Sequence, residues 1–205
     1  MDGTVKAAKL CFADRLLRYF CYVLVQIVQR PKLMTTRPKL DKPTIFVCRH
    51  VGFVDPVILM AVYFRMMVRP LIAKDYYDKN RFTRVFFKHA QSIPLDRRKV
   101  AKQWIQDSLE ALGKGESILI FPEGKRNKSG VGLLPFHNGA ALLAVRSGAR
   151  VVPVYNAFWS FPHRYRLAIG EPVHLDPLPA EGESAQWLKT QTGRMQEAVA
   201  ALAFE

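Results

Sequence analysis

Thr44 to Pro56 reads TIFVCRHVGFVDP, and the fold turns on this stretch. Ile45 to Cys48 is a run of apolar and β-branched residues suited to a buried strand. Asp55-Pro56, followed by the apolar run Val57 to Phe64, is a helix start with proline in the first turn. His50 lies between the two, five residues before Asp55. On one continuous helix that offset turns the side chains about 140° apart. Across a strand, a turn and a helix start they can meet. The C-terminal ends of strands in open α/β sheets are also where ligands bind.

An imidazole, with an unperturbed pKa of about 6.5, accepts a proton near neutrality. A carboxylate on its other ring nitrogen fixes the tautomer and stabilises the imidazolium. No Ser or Cys suited to nucleophilic attack stands beside the pair, so the activated hydroxyl is expected on the substrate. The plainer alternative makes Asp55 a helix N-cap and His50 a loop histidine. Of the five histidines, only His50 has Asp at this offset.

The 205 residues, 49% of them hydrophobic, suffice for one domain with a core and lie outside the disordered range. Lys and Arg number 31 against 17 Asp and Glu, a net charge of +14. That excess points to a polyanionic partner: nucleic acid, an anionic membrane surface or phosphorylated substrates. Cys11, Cys21 and Cys48 have no metal-ligand spacing and read as reduced, structural thiols of a cytosolic compartment. No small-residue cleavage site follows the N-terminal apolar run, so no cleavable signal peptide is expected.

Residues 5–30 read as a helix ended by Pro31. Its uncharged part, Tyr19 to Val25, is too short to span a bilayer. Arg15, Arg18 and Arg30 close by suggest an interfacial helix with aromatics and arginines at headgroup depth; an ordinary helix packed on the domain is the alternative. A Pro- and Lys-rich linker, 31–43, follows. Strands are expected at 70–73, 92–95, 117–121 and 151–155, with a closing β segment at 165–169 and 172–175. Helices are expected at 80–90, 100–112, 138–147 and 184–203. This alternation predicts an α/β sandwich.

Two further strand ends carry charge. Leu95-Asp96-Arg97-Arg98 places two guanidinium groups just past one strand. Phe121-Pro122-Glu123-Gly124-Lys125-Arg126 places a carboxylate and two cations past another. Arginine binds phosphate in bidentate fashion, and Gly124 permits close backbone approach. Either cluster alone also reads as a solvated turn. Three polar clusters at the C-terminal ends of apolar strands form a pattern.

His50-x4-Asp55, Ile93-Pro94-Leu95-Asp96-Arg97, Phe121 to Arg126 and Val151-Val152-Pro153-Val154 resemble, in order and spacing, the four motif blocks of the glycerolipid acyltransferases, of the 1-acyl-sn-glycerol-3-phosphate (lysophosphatidic acid) acyltransferase type. The resemblance covers roughly residues 44–155. It implies an α/β fold with a mixed, largely parallel central sheet flanked by helices. It implies an N-terminal membrane-associating helix with its linker over 1–43 and an acyltransferase domain over 44–205. His50 would be the general base and Asp55 its orienting partner. Arg97 would bind the acceptor phosphate, Glu123, Gly124, Lys125 and Arg126 would serve the acceptor, and Pro153 would belong to donor binding and packing. The implied donor is acyl-CoA or acyl-carrier protein and the acceptor a lysophospholipid. No bound cofactor, metal or nucleic acid is expected, and the implied location is the cytoplasmic face of the cell membrane, peripheral or monotopic.

The chain departs from the family pattern in Arg49 for the usual Asn, Gly52 for Ser, and Lys125 for Thr. The extra cation at Lys125 bears on the acceptor head group. Two competing readings stay open at this point. One is a hydrolase in which His50 activates water. The other is a non-catalytic basic protein that binds membranes or nucleic acid, although zinc-finger spacings, an RNP-like motif and Arg/Gly repeats are missing.

Overall fold

The computed structural model describes residues 12–36, 38–40, 42–96, 102–129, 132–158, 165–180, 182 and 184–204. In chain order the elements are α1 (Phe12–Val28), β1 (Lys32–Leu33), β2 (Thr44–Cys48), α2 (Asp55–Val62), β3 (Val68–Ala73), α3 (Lys74–Tyr77), α4 (Arg81–His89) and β4 (Ile93–Leu95). There follow α5 (Lys102–Gly113), β5 (Ser117–Ile120), α6 (Gly139–Ser147), β6 (Arg150–Phe158), β7 (Tyr165–Ile169) and α7 (Ala185–Ala200).

The seven strands form one sheet in the order β1-β7-β6-β2-β5-β3-β4. All neighbours are parallel except β6 and β7. The central strands are covered on both faces, which is why β2 and β5 read as unbroken apolar runs. Their side chains alternate. Ile45, Val47, Ile118 and Ile120 pack against α5, α6 and α7, whereas Phe46, Cys48 and Leu119 pack against α2 and Val25 of α1. The result is the expected helix–sheet–helix sandwich, with His50 and Glu123 just past the C-terminal ends of adjacent strands.

The local signals explain most element ends. Asn80 caps α4 in a reciprocal capping box with Thr83, and Gly148 ends α6 in the left-handed region at φ 61°. Other parts differ from expectation. The segment 31–43 supplies an edge strand: β1 pairs with β7, and Thr35 exchanges two hydrogen bonds of 2.8 Å with the backbone of Ile169. Residues 172–175 form only a bridge between Val173 and Val151, since Pro172 has no N–H to extend the ladder. Arg18, expected at headgroup depth, turns inward. It is 8% exposed and donates to the carbonyl of Met66 at 2.6 Å, because that end of β3 offers carbonyls its guanidinium can satisfy. Residues 5–11, the start of the expected first helix, lie outside the described residues. Among the described residues no helix is long and apolar enough to cross a membrane.

Candidate active site

Asp55 opens α2 but does not cap it, since the cap position is Val54 and no side-chain cap bond is made. Its buried carboxylate turns back over the preceding loop. Oδ2 accepts His50 Nδ1 at 2.8 Å, the Val51 N–H at 2.8 Å and the Gly52 N–H at 2.9 Å. Oδ1 accepts the Gly52 N–H at 3.0 Å and the Tyr165 hydroxyl. A carboxylate can only accept, so His50 Nδ1 carries the proton and Nε2 presents its lone pair. The imidazole stacks on Phe121, with ring centroids 4.3 Å apart. The His-x4-Asp pair thus has the geometry of an oriented general base.

The third cluster is tied to this loop. Glu123 is 2% exposed. Its Oε1 accepts the His50 N–H at 2.8 Å and its Oε2 the Leu134 N–H at 2.9 Å, while the Asn127 N–H donates to the His50 carbonyl at 2.6 Å. The resemblance links Glu123 to the acceptor, yet both of its oxygens hold backbone. Gly124 has φ +67°, and a Cβ there would lie 2.9 Å from His137 Cδ2, so any other residue is strained in this turn. Pro153 is buried within β6 opposite Val47, against Gly170. It lies about 10 Å short of His50 along the sheet, at ~3.3 Å per residue. Arg97 and Arg98 lie outside the described residues.

Two cavities meet at His50. One, of about 430 Å³, is predominantly apolar and lies between α1, α2, β3 and α4; Leu17, Cys21, Met60, Phe82 and Phe86 are among its walls. It extends to Arg18, which sits near the N-terminal end of β3. Met67 there is paired to Ser117, whose hydroxyl accepts the Thr44 N–H. Burial pulls the Arg18 guanidinium below its ordinary pKa, against the opposing pull of Asp14 and Glu116. The second cavity, of about 510 Å³, is more polar than the first and has Lys125, Arg126 and Lys128 among its walls. His50, Tyr76 and Arg126 line both. The arrangement presents the His50 imidazole where an apolar slot opens onto a cationic basin.

The family model for Acyltransferase matches residues 26–156. The chain belongs to this family. The Caenorhabditis elegans protein named "Putative 1-acyl-sn-glycerol-3-phosphate acyltransferase acl-2" is 27% identical over 157 residues, covering 71% of this chain and 54% of the relative. The chloroplastic 1-acyl-sn-glycerol-3-phosphate acyltransferase BAT2 of Brassica napus is 30% identical over 126 residues, covering 57% of this chain and 33% of the relative. The chain therefore spans about half the length of the first relative and a third of the second. The crystal structure of the 1-acyl-sn-glycerophosphate acyltransferase PlsC of Thermotoga maritima superposes with a TM-score of 0.65 at 20% identity. The match covers 92% of this chain and 79% of that one and shows a shared fold.

Within this acyltransferase fold, sequence reasoning missed Tyr165 and Asn156. Asn156 Nδ2 donates to the Tyr165 hydroxyl, which donates to Asp55. Tyr165 lies 110 positions from Asp55, and no short-range spacing marks such a pair. It missed Tyr76 as well, a side chain of α3 that reads as an ordinary aromatic.

Proposed function

We propose that the protein transfers a fatty acyl group from a thioester, acyl-CoA or acyl-carrier protein, to the free hydroxyl of a lysophospholipid. The favoured acceptor is 1-acyl-sn-glycerol-3-phosphate, giving phosphatidic acid. The observation that carries this reading is the junction of an apolar cavity and a cationic one at His50. The slot suits an acyl chain, and the basin suits a phosphate.

His50 Nε2 takes the proton of the acceptor hydroxyl as its oxygen attacks the thioester carbonyl carbon. The C–O bond forms, the tetrahedral intermediate collapses and the C–S bond breaks. The thiolate leaves with the proton returned by the imidazolium, which Asp55 stabilises. Arg126, Lys125 and Lys128 hold the acceptor phosphate together with Arg97, the arginine of the second motif block. Glu123 and Gly124 shape the loop that presents these cations.

The reaction takes place at the cytoplasmic face of a membrane, reached peripherally. Support comes from the exposed apolar side chains of α1, among them Phe12, Leu16, Phe20, Leu24 and Ile27, and from the +14 charge. The test is an acylation assay with purified protein, comparing lysophosphatidic acid with other lysolipids and acyl-CoA with acyl-carrier protein. Acceptor-dependent phosphatidic acid is expected. Free fatty acid released at the same rate without acceptor would instead make the protein a hydrolase.

A further inference from the structure

Asp55 holds His50 through Oδ2, and a carboxylate rotates readily about its last torsion. The backbone N–H groups of Val51 and Gly52 hold one edge of the carboxylate, and the Tyr165 hydroxyl is the side-chain donor on Oδ1. Tyr165, at the start of β7, is fully buried and bonded on both sides of its hydroxyl. The bond directions are fixed by chemistry. The Asp55 carboxylate cannot donate, so the single phenolic hydrogen goes to Oδ1, and the Asn156 amide must present Nδ2 to the phenol oxygen. The backbone carbonyl of Asn156, not its side-chain amide, accepts Arg49 Nη1 at 3.1 Å. Arg49, 1% exposed, lies 4.8 Å from the Tyr155 ring centroid. Burial first, and the Asp55 charge second, push the Tyr165 hydroxyl well above its ordinary pKa, so it remains a neutral donor.

We infer that Tyr165 is a positioning residue for the acyl-transfer base: its hydroxyl, together with the Val51 and Gly52 N–H groups, holds the rotation of Asp55 and offsets part of the carboxylate charge that His50 faces. This rests on the reading of His50 as general base. The O–H dipole points its positive end at Asp55 and partly neutralises it. Without it the imidazole faces a stronger negative charge, its protonated form is favoured, and the base is withdrawn at higher pH. Among the described residues, the other charged or titratable groups around the pair are Glu123, Arg126, Lys125 and Lys128 from the loop after β5, Tyr76 of α3, and Cys48 and Arg49 from the end of β2. They are common to wild type and variant, so the difference isolates the hydroxyl.

The test compares wild type, Tyr165→Phe and Asn156→Leu. The His50 imidazole is titrated by NMR with ring-labelled histidine, and acyl transfer is followed against pH. In Tyr165→Phe the NMR midpoint and the acid limb of kcat/KM both move up by about 0.5–1 pH unit. The kcat falls about tenfold while both KM values hold. In Asn156→Leu, which only weakens the phenol as a donor, the shift has the same sign and is smaller. An unmoved midpoint in folded Tyr165→Phe overturns the inference. Should that variant not fold, an unmoved midpoint in Asn156→Leu overturns it. A moved midpoint in a protein whose turnover survives His50→Ala keeps the Tyr165 coupling and discards the general-base reading.

Discussion

Glu123→Gln separates scaffold from ligand contact in the third motif block. The buried carboxylate accepts one N–H from the His50 loop at 2.8 Å and one from Leu134 at 2.9 Å. In the amide, one of these oxygens becomes an NH₂ that meets an N–H head on. One charge-assisted bond worth about 1.5–3 kcal/mol is lost, a buried N–H is left unpaired, and the surviving bond weakens to a neutral one. Relief of a buried charge offsets part of this, leaving a net loss of about 2–4 kcal/mol. A chain of this size loses roughly 2–4 °C in Tm per kcal/mol, so the melting point should fall by about 10 °C. Thermal unfolding by circular dichroism measures that. Steady-state kinetics on the same protein should show a lower kcat with the acceptor KM unchanged, because the His50 loop drifts while the cations stay. A Tm within about 2 °C of wild type, together with a raised acceptor KM, would refute the scaffold role.

Three other outcomes are expected. Arg18→Met replaces a buried cation in the wall of the apolar cavity with an apolar side chain and should shift acyl preference towards longer chains in competition assays; an unchanged chain-length profile counts against the cavity as the acyl site. The Cys21 thiol lines the same cavity, and burial raises its pKa; maleimide labelling should therefore be slow at neutral pH, quicken as pH rises, and slow further with a long-chain acyl ligand bound. Labelling unaffected by that ligand would place the chain elsewhere. Phe20→Asp with Leu24→Asp on the exposed face of α1 should reduce flotation with anionic vesicles at least tenfold while the folded core is kept, and undiminished flotation would remove α1 as the membrane contact.

Much of the fold was legible because its signals are local. β2 and β5 are buried on both faces and announce themselves as apolar runs, and Asn80 with Thr83 spells out a helix start. The His50–Asp55 pair was legible because a turn and a helix start bring a fixed short spacing together. What escaped depends on distant partners. Glu123 reads as an exposed charge in a turn until backbone N–H groups 73 positions before it and 11 after it claim its oxygens. Arg18 sits among apolar helix residues, and its long stem can point to either solvent or core. β1 has two residues, too few to show a period, and is defined only by pairing with β7 across the whole domain.

Everything catalytic in this account passes through Nε2 of His50. The most direct measurement is acyl transfer to lysophosphatidic acid by purified His50→Ala, with its fold checked by thermal melting and its vesicle binding by flotation. A loss of about 10²–10⁴ in kcat, with melting and vesicle binding close to wild type, is the predicted result. Turnover within a few-fold of wild type in that folded, membrane-bound protein would contradict it.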